Sequence, residues 1–182
     1  RSGVALEWRQ EGVGGGGVTA AAGPSTIVLR GERTPLRWAS RRDPRRFQLR
    51  LADGSTRWSA PVSPDFAGSH LVVKLRATRL GAPPVCLRCA MALVGSRVAL
   101  EMHPLASDAD VNTSQLPYAL CNASRLLVAV KQRGVPGGVP WELLAPGRVL
   151  PYAPDVAGGG GCVVRIAVAD ASGAWRGGVT AS

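Results

Sequence analysis

The end of the chain repeats the order of segments found at its start. A short strand-like segment ending in Gln10 is followed by a Gly-rich gap, an apolar segment, a Pro-containing element and an alternating segment that leads to Trp58. The second half has the same order, from Gln132 to Trp175. Equivalent positions lie 122 residues apart at the glutamines and 117 at the tryptophans. Such a period predicts one small β unit per repeat, in which the connections vary in length and the strands persist.

The local patterns also predict strands. Apolar and polar residues alternate over 47–52, and Asp53-Gly54 then favours a tight turn with 55–59 returning as a second strand. Further strands are predicted at 70–76, 85–92, 96–102 and 126–130. Helical periodicity never persists for three turns without Gly or Pro. The sequence therefore predicts an all-β chain of tandem, antiparallel, small β-sandwich-like repeats. The first repeat, with connecting strands, spans 1–105, and the second spans 106–182.

The chain carries a net charge of +10, from 20 Arg, 2 Lys and 12 acidic residues. Arginine-rich usage together with abundant Gly, Ala and Pro is typical of a GC-rich coding sequence, so composition accounts for most of this charge. The exception is the predicted turn at Asp43-Pro44, which projects four cations from one loop: Arg41, Arg42, Arg45 and Arg46. An alternative function is therefore a basic module that docks on an anionic membrane surface or on nucleic acid.

The sequence predicts neither a catalytic centre nor a bound cofactor. The pair Cys86 and Cys89 has the spacing of half a zinc site, but the other two cysteines stand alone, so buried free thiols and no metal are expected. Two histidines occur in 182 residues, and neither lies in a recognisable nucleophile context. The segment from Gly12 to Gly17 satisfies a dinucleotide fingerprint only because a run of glycines satisfies it trivially. We expect a non-enzymatic protein.

The chain is expected to be a soluble piece of a longer protein. It begins at Arg1, and charges interrupt every apolar stretch well before the roughly 20 residues that a membrane-spanning helix needs. A further alternative is a secreted β-sandwich that binds or hydrolyses carbohydrate on a platform formed by Trp38, Trp58 or Trp175. This alternative requires at least one of the three rings to be exposed.

The second copy contains a more specific series of motifs. One apolar strand leads into Asn122-Ala123-Ser124, the next ends in Gln132, and a Leu-Ala-Pro-Gly turn at 144–147 precedes Leu150-Pro151-Tyr152-Ala153. This series resembles a repeat of the adaptor-binding region, also called the SHR-binding domain, of the vacuolar protein sorting 13 family of bridge-like lipid transfer proteins. Asn122 falls on the repeat asparagine of that family, and Asp155 falls on its aspartate, displaced by Pro154. The resemblance covers most of the chain.

The resemblance implies a non-enzymatic module that recruits adaptor proteins through Pro-x-Pro peptides and targets a lipid transfer protein to membrane contact sites. It implies a cytoplasmic protein, peripheral at organelle membranes, with Asn122 as a partner-binding residue and without a nucleic-acid partner. An exposed strand edge can accept such an extended peptide. The residue type alone leaves a second role open for Asn122, since its side chain can hold the turn before the next strand.

Overall fold

The computed structural model describes residues 5–11, 24–35, 45–64, 70–79, 82–95, 97–105, 116–135, 141–156, 162–169 and 175–181. These ranges contain four antiparallel sheets and no helix, and so none that could cross a membrane, which confirms the predicted all-β, sandwich-like fold. The strands are β1 Leu6–Gln10, β2 Ser25–Val28, β3 Phe47–Leu51, β4 His70–Leu75, β5 Val85–Val94, β6 Arg97–Leu105, β7 Tyr118–Cys121, β8 Val128–Gln132, β9 Glu142–Leu144, β10 Val149–Tyr152, β11 Val164–Ala169 and β12 Trp175–Ala181.

The chain divides into two compact units. The first comprises Arg1–Asp108 with Val156–Gly158, and the second comprises Ala109–Asp155 with Gly159–Ser182. Unit 1 contains the sheets β2-β1-β3 and β4-β5-β6, and unit 2 contains the sheets β12-β11-β8-β9 and β10-β7. Each unit has its own hydrophobic cluster, so each can be described by itself.

The core of unit 1 forms because every second residue of its strands faces inward. Leu49 on β3 and Leu75 on β4 are fully buried, and partly buried Trp8 on β1 packs against the same cluster. Burial of one such leucine contributes about 1.5–3 kcal/mol. The buried members of the cluster are Phe47, Leu49, Leu51, Val62, Leu71, Val73, Leu75, Leu87, Cys89 and Met91.

The core of unit 2 is smaller. Val130 on β8, Val164 on β11 and Tyr152 on β10 are buried together, so this cluster joins the four-stranded sheet to the two-stranded sheet. Five partly buried side chains pack against it: Leu120, Val128, Leu150, Cys162 and Ile166. The two-stranded sheet is thus held mainly by packing, because two strands alone are marginally stable in water.

The strand pairings agree with the internal repeat position by position. Gln10 pairs with Phe47, and Gln132 pairs with Val164, which are the equivalent residues at offsets of 122 and 117. The third strand also agrees, because β2 and β9 pair with β1 and β8 in the same register at a constant offset of 116. The orders β2-β1-β3 and β9-β8-β11 therefore correspond without a slip, and the length differences lie entirely in the connections.

Most of the individual strand predictions are confirmed, with one exception after β3. The strands predicted at 70–76, 85–92 and 96–102 are β4, β5 and β6, and the strand predicted from 126 begins two residues later, as β8. The predicted polar connection between the repeats lies largely outside the described residues.

The exception is the predicted return strand at 55–59. The turn itself forms, with Gly54 at φ 73 and its N–H donating to the Leu51 carbonyl. Beyond it, the hydroxyl of Thr56 accepts from the Leu51 N–H at 2.8 Å, and that of Ser59 accepts from the Leu49 N–H at 3.0 Å. These side chains take the place of backbone carbonyls, so the segment follows β3 without forming a regular strand.

Candidate interaction surfaces

Asn122 lies just after β7 and connects three strands. Its Nδ2 donates to the carbonyl of Leu126 at 2.8 Å, just before β8, and to that of Leu144 at 2.9 Å, at the end of β9. Its Oδ1 accepts from the N–H and the hydroxyl of Ser124 at 3.1 and 2.7 Å. The side chain is 5% exposed, and its amide groups are occupied by these internal bonds. This geometry supports the turn-holding role, whereas direct contact with a partner stays a prediction.

The backbone of Asn122 extends the pairing of β7 with β10. Its N–H donates to the Arg148 carbonyl at 3.0 Å, and its carbonyl accepts from the Gly147 N–H at 2.8 Å. Gly147 adopts φ 67, a left-handed conformation that glycine tolerates best, within the turn where the Arg148 N–H donates to the Ala145 carbonyl. The Pro-Gly turn thus lies opposite Asn122 and leads directly into β10.

One edge of β7 is unpaired within the part of the chain that the structure describes. Because the Asn122 N–H and C=O face β10, alternation directs the backbone groups of Ala119 and Cys121 away from it. On the other edge of this sheet, Pro151 lies opposite Ala119 and has no N–H to donate. The outer edge of β7 therefore keeps all the backbone donors and acceptors of that strand, whereas the outer edge of β10 lacks one donor.

The predicted anion-binding loop is described only in part. Arg41 and Arg42 lie outside the described residues, while Arg45 and Arg46 are exposed. Arg46 Nη1 lies 3.8 Å from a carboxylate oxygen of Glu11, an exposed ion pair that contributes at most about 1 kcal/mol. The described part of this loop therefore shows two exposed arginines, and the four-cation cluster stays a prediction.

The outer face of the β2-β1-β3 sheet carries a polar network that the sequence alone did not single out. Arg50 Nε donates to Glu7 Oε2 at 2.5 Å, and the guanidinium carbons of Arg9 and Arg50 lie 4.2 and 4.6 Å from the centroid of the Trp58 ring. The hydrogen bond from Arg50 lowers the pKa of the buried Glu7 carboxyl. Gln48 accepts from Arg9 Nε at 3.0 Å. This network could have been predicted only from the register between β1 and β3, which places Glu7 directly opposite Arg50.

The corresponding face of the second repeat differs. We call the outer face of the β12-β11-β8-β9 sheet the second-repeat outer face. Trp141 lies under the Lys131 ammonium group, 4.8 Å from the ring centroid, while Leu143 and Trp175 are 59% and 48% exposed. Ala129 and Ala167 lie between them and are buried. Large exposed apolar side chains therefore flank two buried alanines on this face.

The tryptophans divide between these environments. Trp38 lies outside the described residues, Trp58 is half-buried beneath two arginines, and Trp175 is exposed. The carbohydrate-platform alternative requires one exposed ring, and Trp175 satisfies that requirement. This function stays a prediction, since exposure alone does not distinguish a sugar from another apolar partner.

The pair Cys86 and Cys89, which has the spacing of half a zinc site, does not point to a common site. Cys86 and Cys89 lie three residues apart on β5 and therefore face opposite sides of its sheet. Burial raises the pKa of the Cys89 thiol to about 12, so it is not ionised at neutral pH. The expectation of buried thiols is confirmed for Cys89 alone, since Cys86 and Cys162 are partly exposed and Cys121 is exposed. Among the described residues, no three His, Cys, Asp or Glu side chains are grouped as metal ligands would be.

No protein-family model matches the chain, and no curated protein matches it. The similarity to the adaptor-binding repeats therefore rests on the motifs around Asn122 and Gln132.

Proposed function

We propose that this chain is a non-enzymatic interaction module that binds extended, Pro-containing segments of adaptor proteins. Through them it would recruit a lipid transfer protein of the vacuolar protein sorting 13 type to the cytoplasmic face of organelle membranes at contact sites. The observation that carries the proposal is the edge of β7 that has no partner strand among the described residues, and Asn122 ties this strand to β8 and β9. The resemblance of the motif series around Asn122 to that family supports the choice of partner.

The edge of β7 offers the hydrogen-bonding groups that an added strand requires. Ala119 and Cys121 direct their N–H and C=O groups away from β10, and both residues are exposed. A partner segment that runs antiparallel to β7 can form bonds at alternate residues with these two positions. The added strand would enlarge a two-stranded sheet to three strands, which are inherently more stable.

A Pro-x-Pro segment suits such an edge for a geometric reason. In an extended chain, successive N–H groups point to opposite sides, so both prolines of the motif face one side and the central residue faces the other. The two missing N–H groups then point away from β7, and the central residue keeps its own N–H for pairing. Proline also restricts the free segment toward an extended conformation, which reduces the entropy lost on binding.

Asn122 acts in this proposal as a positioning residue. Its carboxamide bonds fix where β7 ends relative to the starts of β8 and the turn before β10. Because these bonds use its side-chain groups, we assign its contribution to holding the edge in place. Only a few hydrogen bonds of about 1 kcal/mol each are available, so binding to a single peptide is expected to be weak. Attachment of both partners to one membrane would strengthen it by effective concentration.

The proposal is tested with the 182-residue chain and two fluorescein-labelled peptides, one containing Pro-x-Pro and one with the same composition but adjacent prolines. Fluorescence anisotropy should show binding of the first peptide and much weaker binding of the second. Ala119→Pro removes one donor at the β7 edge and should weaken binding at least about fivefold, the equivalent of one hydrogen bond. Pro151→Ala adds a donor at the β10 edge and serves as the matched control that leaves affinity unchanged.

Equal binding of both peptides, or an Ala119→Pro variant that keeps full affinity and a native circular dichroism spectrum, would exclude pairing at β7. If Ala119→Pro does not fold, alkylation of the exposed Cys121 thiol provides a second way to obstruct the same edge. Cys121→Ser, which cannot be alkylated at this position, identifies the responsible thiol. Protection of Cys121 from alkylation by the Pro-x-Pro peptide is expected, and its absence would count against the proposal.

A further inference from the structure

Two rows of cross-strand residues on the outer face of the β2-β1-β3 sheet each join an arginine to a carboxylate. In one row, Glu7 on β1 lies opposite Arg50 on β3, which donates to it from Nε. Two rows further on, the Glu11 N–H donates to the Arg46 carbonyl, and Arg46 Nη1 lies 3.8 Å from a carboxylate oxygen of Glu11. The charges of these two rows are therefore balanced within the chain.

The row between them contains an arginine without a carboxylate. Arg9 on β1 lies opposite Gln48 on β3, whose Oε1 accepts from Arg9 Nε at 3.0 Å. The Gln48 amide is itself oriented, because its Nε2 donates to the Ser59 carbonyl at 3.0 Å. An amide oxygen accepts a hydrogen bond but carries no net charge, so Gln48 does not neutralise Arg9. Among the residues that the structure describes, no carboxylate forms an ion pair with Arg9.

The surroundings of Arg9 disfavour its positive charge. Partial burial and the nearby Arg50 guanidinium lower the pKa of Arg9, and the Glu7 carboxylate opposes them only in part. Glu7 is ionised at neutral pH, because the hydrogen bond from Arg50 lowers the pKa of its carboxyl. The network of Glu7, Arg9 and Arg50 therefore carries one net positive charge, which one external monoanion would balance.

The Arg9 guanidinium is already held in a position where it can bind such an anion. Its central carbon lies 4.2 Å from the centroid of the Trp58 ring, and its Nε is occupied by Gln48. Its two Nη groups have no acceptor within the described part of the chain, and the side chain is partly exposed. Both groups can donate to the two oxygens of one carboxylate. Because the ring and the amide already restrict the side chain, less conformational entropy is lost on binding.

The equivalent row of the second repeat differs at both positions. Lys131 takes the place of Arg9, and Arg165 takes the place of Gln48. The Lys131 ammonium group also lies over a ring, 4.8 Å from the centroid of Trp141. It is a compact charge, however, and lacks the planar pair of donors that matches a carboxylate. Among the described residues, a guanidinium held by both a ring and a neutral amide is therefore found in the first repeat alone.

We infer that Arg9 binds a carboxylate of a partner protein, supplied by an aspartate or glutamate side chain next to an apolar residue. The two Nη groups of Arg9 donate to the two carboxylate oxygens. The apolar neighbour contacts Ile27, which lies opposite Glu7 on β2 and is 56% exposed. A carboxylate is favoured over a phosphate monoester, because the monoester carries nearly two negative charges and the Glu7 carboxylate lies beside the site. The site lies in unit 1, so the inference is independent of the adaptor proposal for β7 in unit 2.

The test is an NMR titration of the 182-residue chain labelled with nitrogen-15 arginine. The probes are the peptide acetyl-Gly-Leu-Glu-Leu-Gly-amide and the same peptide with glutamine in place of glutamate. The glutamate peptide should shift the Arg9 Nε–H resonance, and the glutamine peptide should not. Gln48→Glu supplies the missing carboxylate from β3 itself and should weaken binding at least about tenfold, the equivalent of one charge-assisted hydrogen bond. Arg46→Gln removes a cation that already has its own carboxylate, so this matched control should change affinity by less than about twofold.

A second variant keeps the inference falsifiable if Gln48→Glu does not fold. Arg9→Lys retains the charge without the paired donors and should also weaken binding of the glutamate peptide. Equal binding of the two peptides, full affinity in a folded Gln48→Glu variant, or an equal loss in Arg46→Gln would overturn the inference. Binding of the Pro-x-Pro peptide to Gln48→Glu should be unchanged, which separates this site from the adaptor proposal.

Two further probes distinguish other sources of negative charge. A peptide with phosphoserine in place of glutamate should bind Arg9 no more tightly than the glutamate peptide does. Tighter binding of the phosphoserine peptide would identify a phosphoryl ligand and overturn the choice of a carboxylate. A shift of the Arg9 resonance by phosphatidylserine-containing vesicles, with none by the glutamate peptide, would identify a membrane as the partner and likewise overturn it.

Discussion

Glu7 and Arg50 in the first repeat stand where the second repeat has Ala129 and Ala167. The first pair covers its sheet with an ion pair and two cation–aromatic contacts, whereas the second pair consists of two small buried side chains between exposed tryptophan and leucine side chains. Strand order and register are the same around both pairs. Because successive side chains face opposite sides of a strand, the core side can stay alike while the outer side changes completely.

The edge beside β3 and β11 provides a second contrast. In unit 1, hydroxyl groups of Thr56 and Ser59 bond to β3 in place of a regular strand. In unit 2, β12 pairs with β11 along most of its length and accommodates one irregularity at Gly177-Gly178. Both solutions satisfy backbone donors of β3 and β11, which a sheet requires more strictly than it requires any one residue type.

The largest predicted effect is confined to unit 2. Asn122→Ala removes the donors for the Leu126 and Leu144 carbonyls and should destabilise the chain by about 2–4 kcal/mol, because leaving a buried acceptor unsatisfied costs about 1–3 kcal/mol. Hydrogen exchange should accelerate in β7, β9 and β10, while β4 and β5 in unit 1 keep their protection. Ser124→Ala, at an exposed site, is the control and should cost well under half as much. Equal acceleration in both units would refute the assignment.

The next effect is expected in unit 1. Glu7→Ala leaves the Arg50 guanidinium without its carboxylate partner and should cost about 1–3 kcal/mol in chemical denaturation. Glu11→Ala removes the exposed ion pair with Arg46 and should change stability by less than about 1 kcal/mol. If the two substitutions lower stability equally, the buried ion pair of Glu7 contributes no more to stability than the exposed ion pair of Glu11.

Acidification should reduce the contribution of Glu7. Its folded-state pKa is lowered from the ordinary value of 4.5, chiefly by the hydrogen bond from Arg50, so the stabilisation is fully present above that value and is lost as the pH falls through the folded pKa. The stability difference between the wild-type chain and Glu7→Gln, measured by thermal denaturation, should therefore be larger at neutral pH than at low pH. A difference that does not change with pH would mean that the charge on Glu7 contributes nothing.

The smallest effect concerns the exposed cation–aromatic pair of the second repeat. Lys131→Gln should lower stability by about 0.5 kcal/mol, the usual value for a solvent-exposed contact of this kind. Arg133→Gln, at an exposed position just after β8, removes the same charge and is the matched control. A loss at position 133 as large as that at position 131 would attribute the effect to net charge instead of the Trp141 contact.

Much of the fold could be predicted from the sequence because it depends on alternation and repetition. The equivalence of Gln10 with Gln132 and of Trp58 with Trp175 anticipated which strands correspond. The return segment after Gly54 was predicted wrongly, since a local pattern does not reveal that hydroxyl groups will compete with backbone carbonyls.

The candidate sites were less predictable for a related reason. The turn-holding role of Asn122 follows from its residue type and position, but the open edge of β7 depends on which distant strand pairs with it, a non-local property. The outer face of the second repeat likewise depends on register, because the spacing of Ala129, Ala167 and Leu143 in the sequence does not show that they lie in one row. Local sequence patterns predict individual strands, whereas the register between strands decides which side chains share a surface.

The constant offsets within paired strands have an evolutionary consequence. An insertion of one residue inside β8 or β11 would exchange the core and solvent sides of every later residue of that strand, whereas an insertion in a Gly-rich connection would leave both sides in place. Length changes between the two copies are therefore tolerated only where they are found, between strands. A duplicated unit of this kind can therefore change the side chains on its solvent side while its core side and strand pairing stay the same.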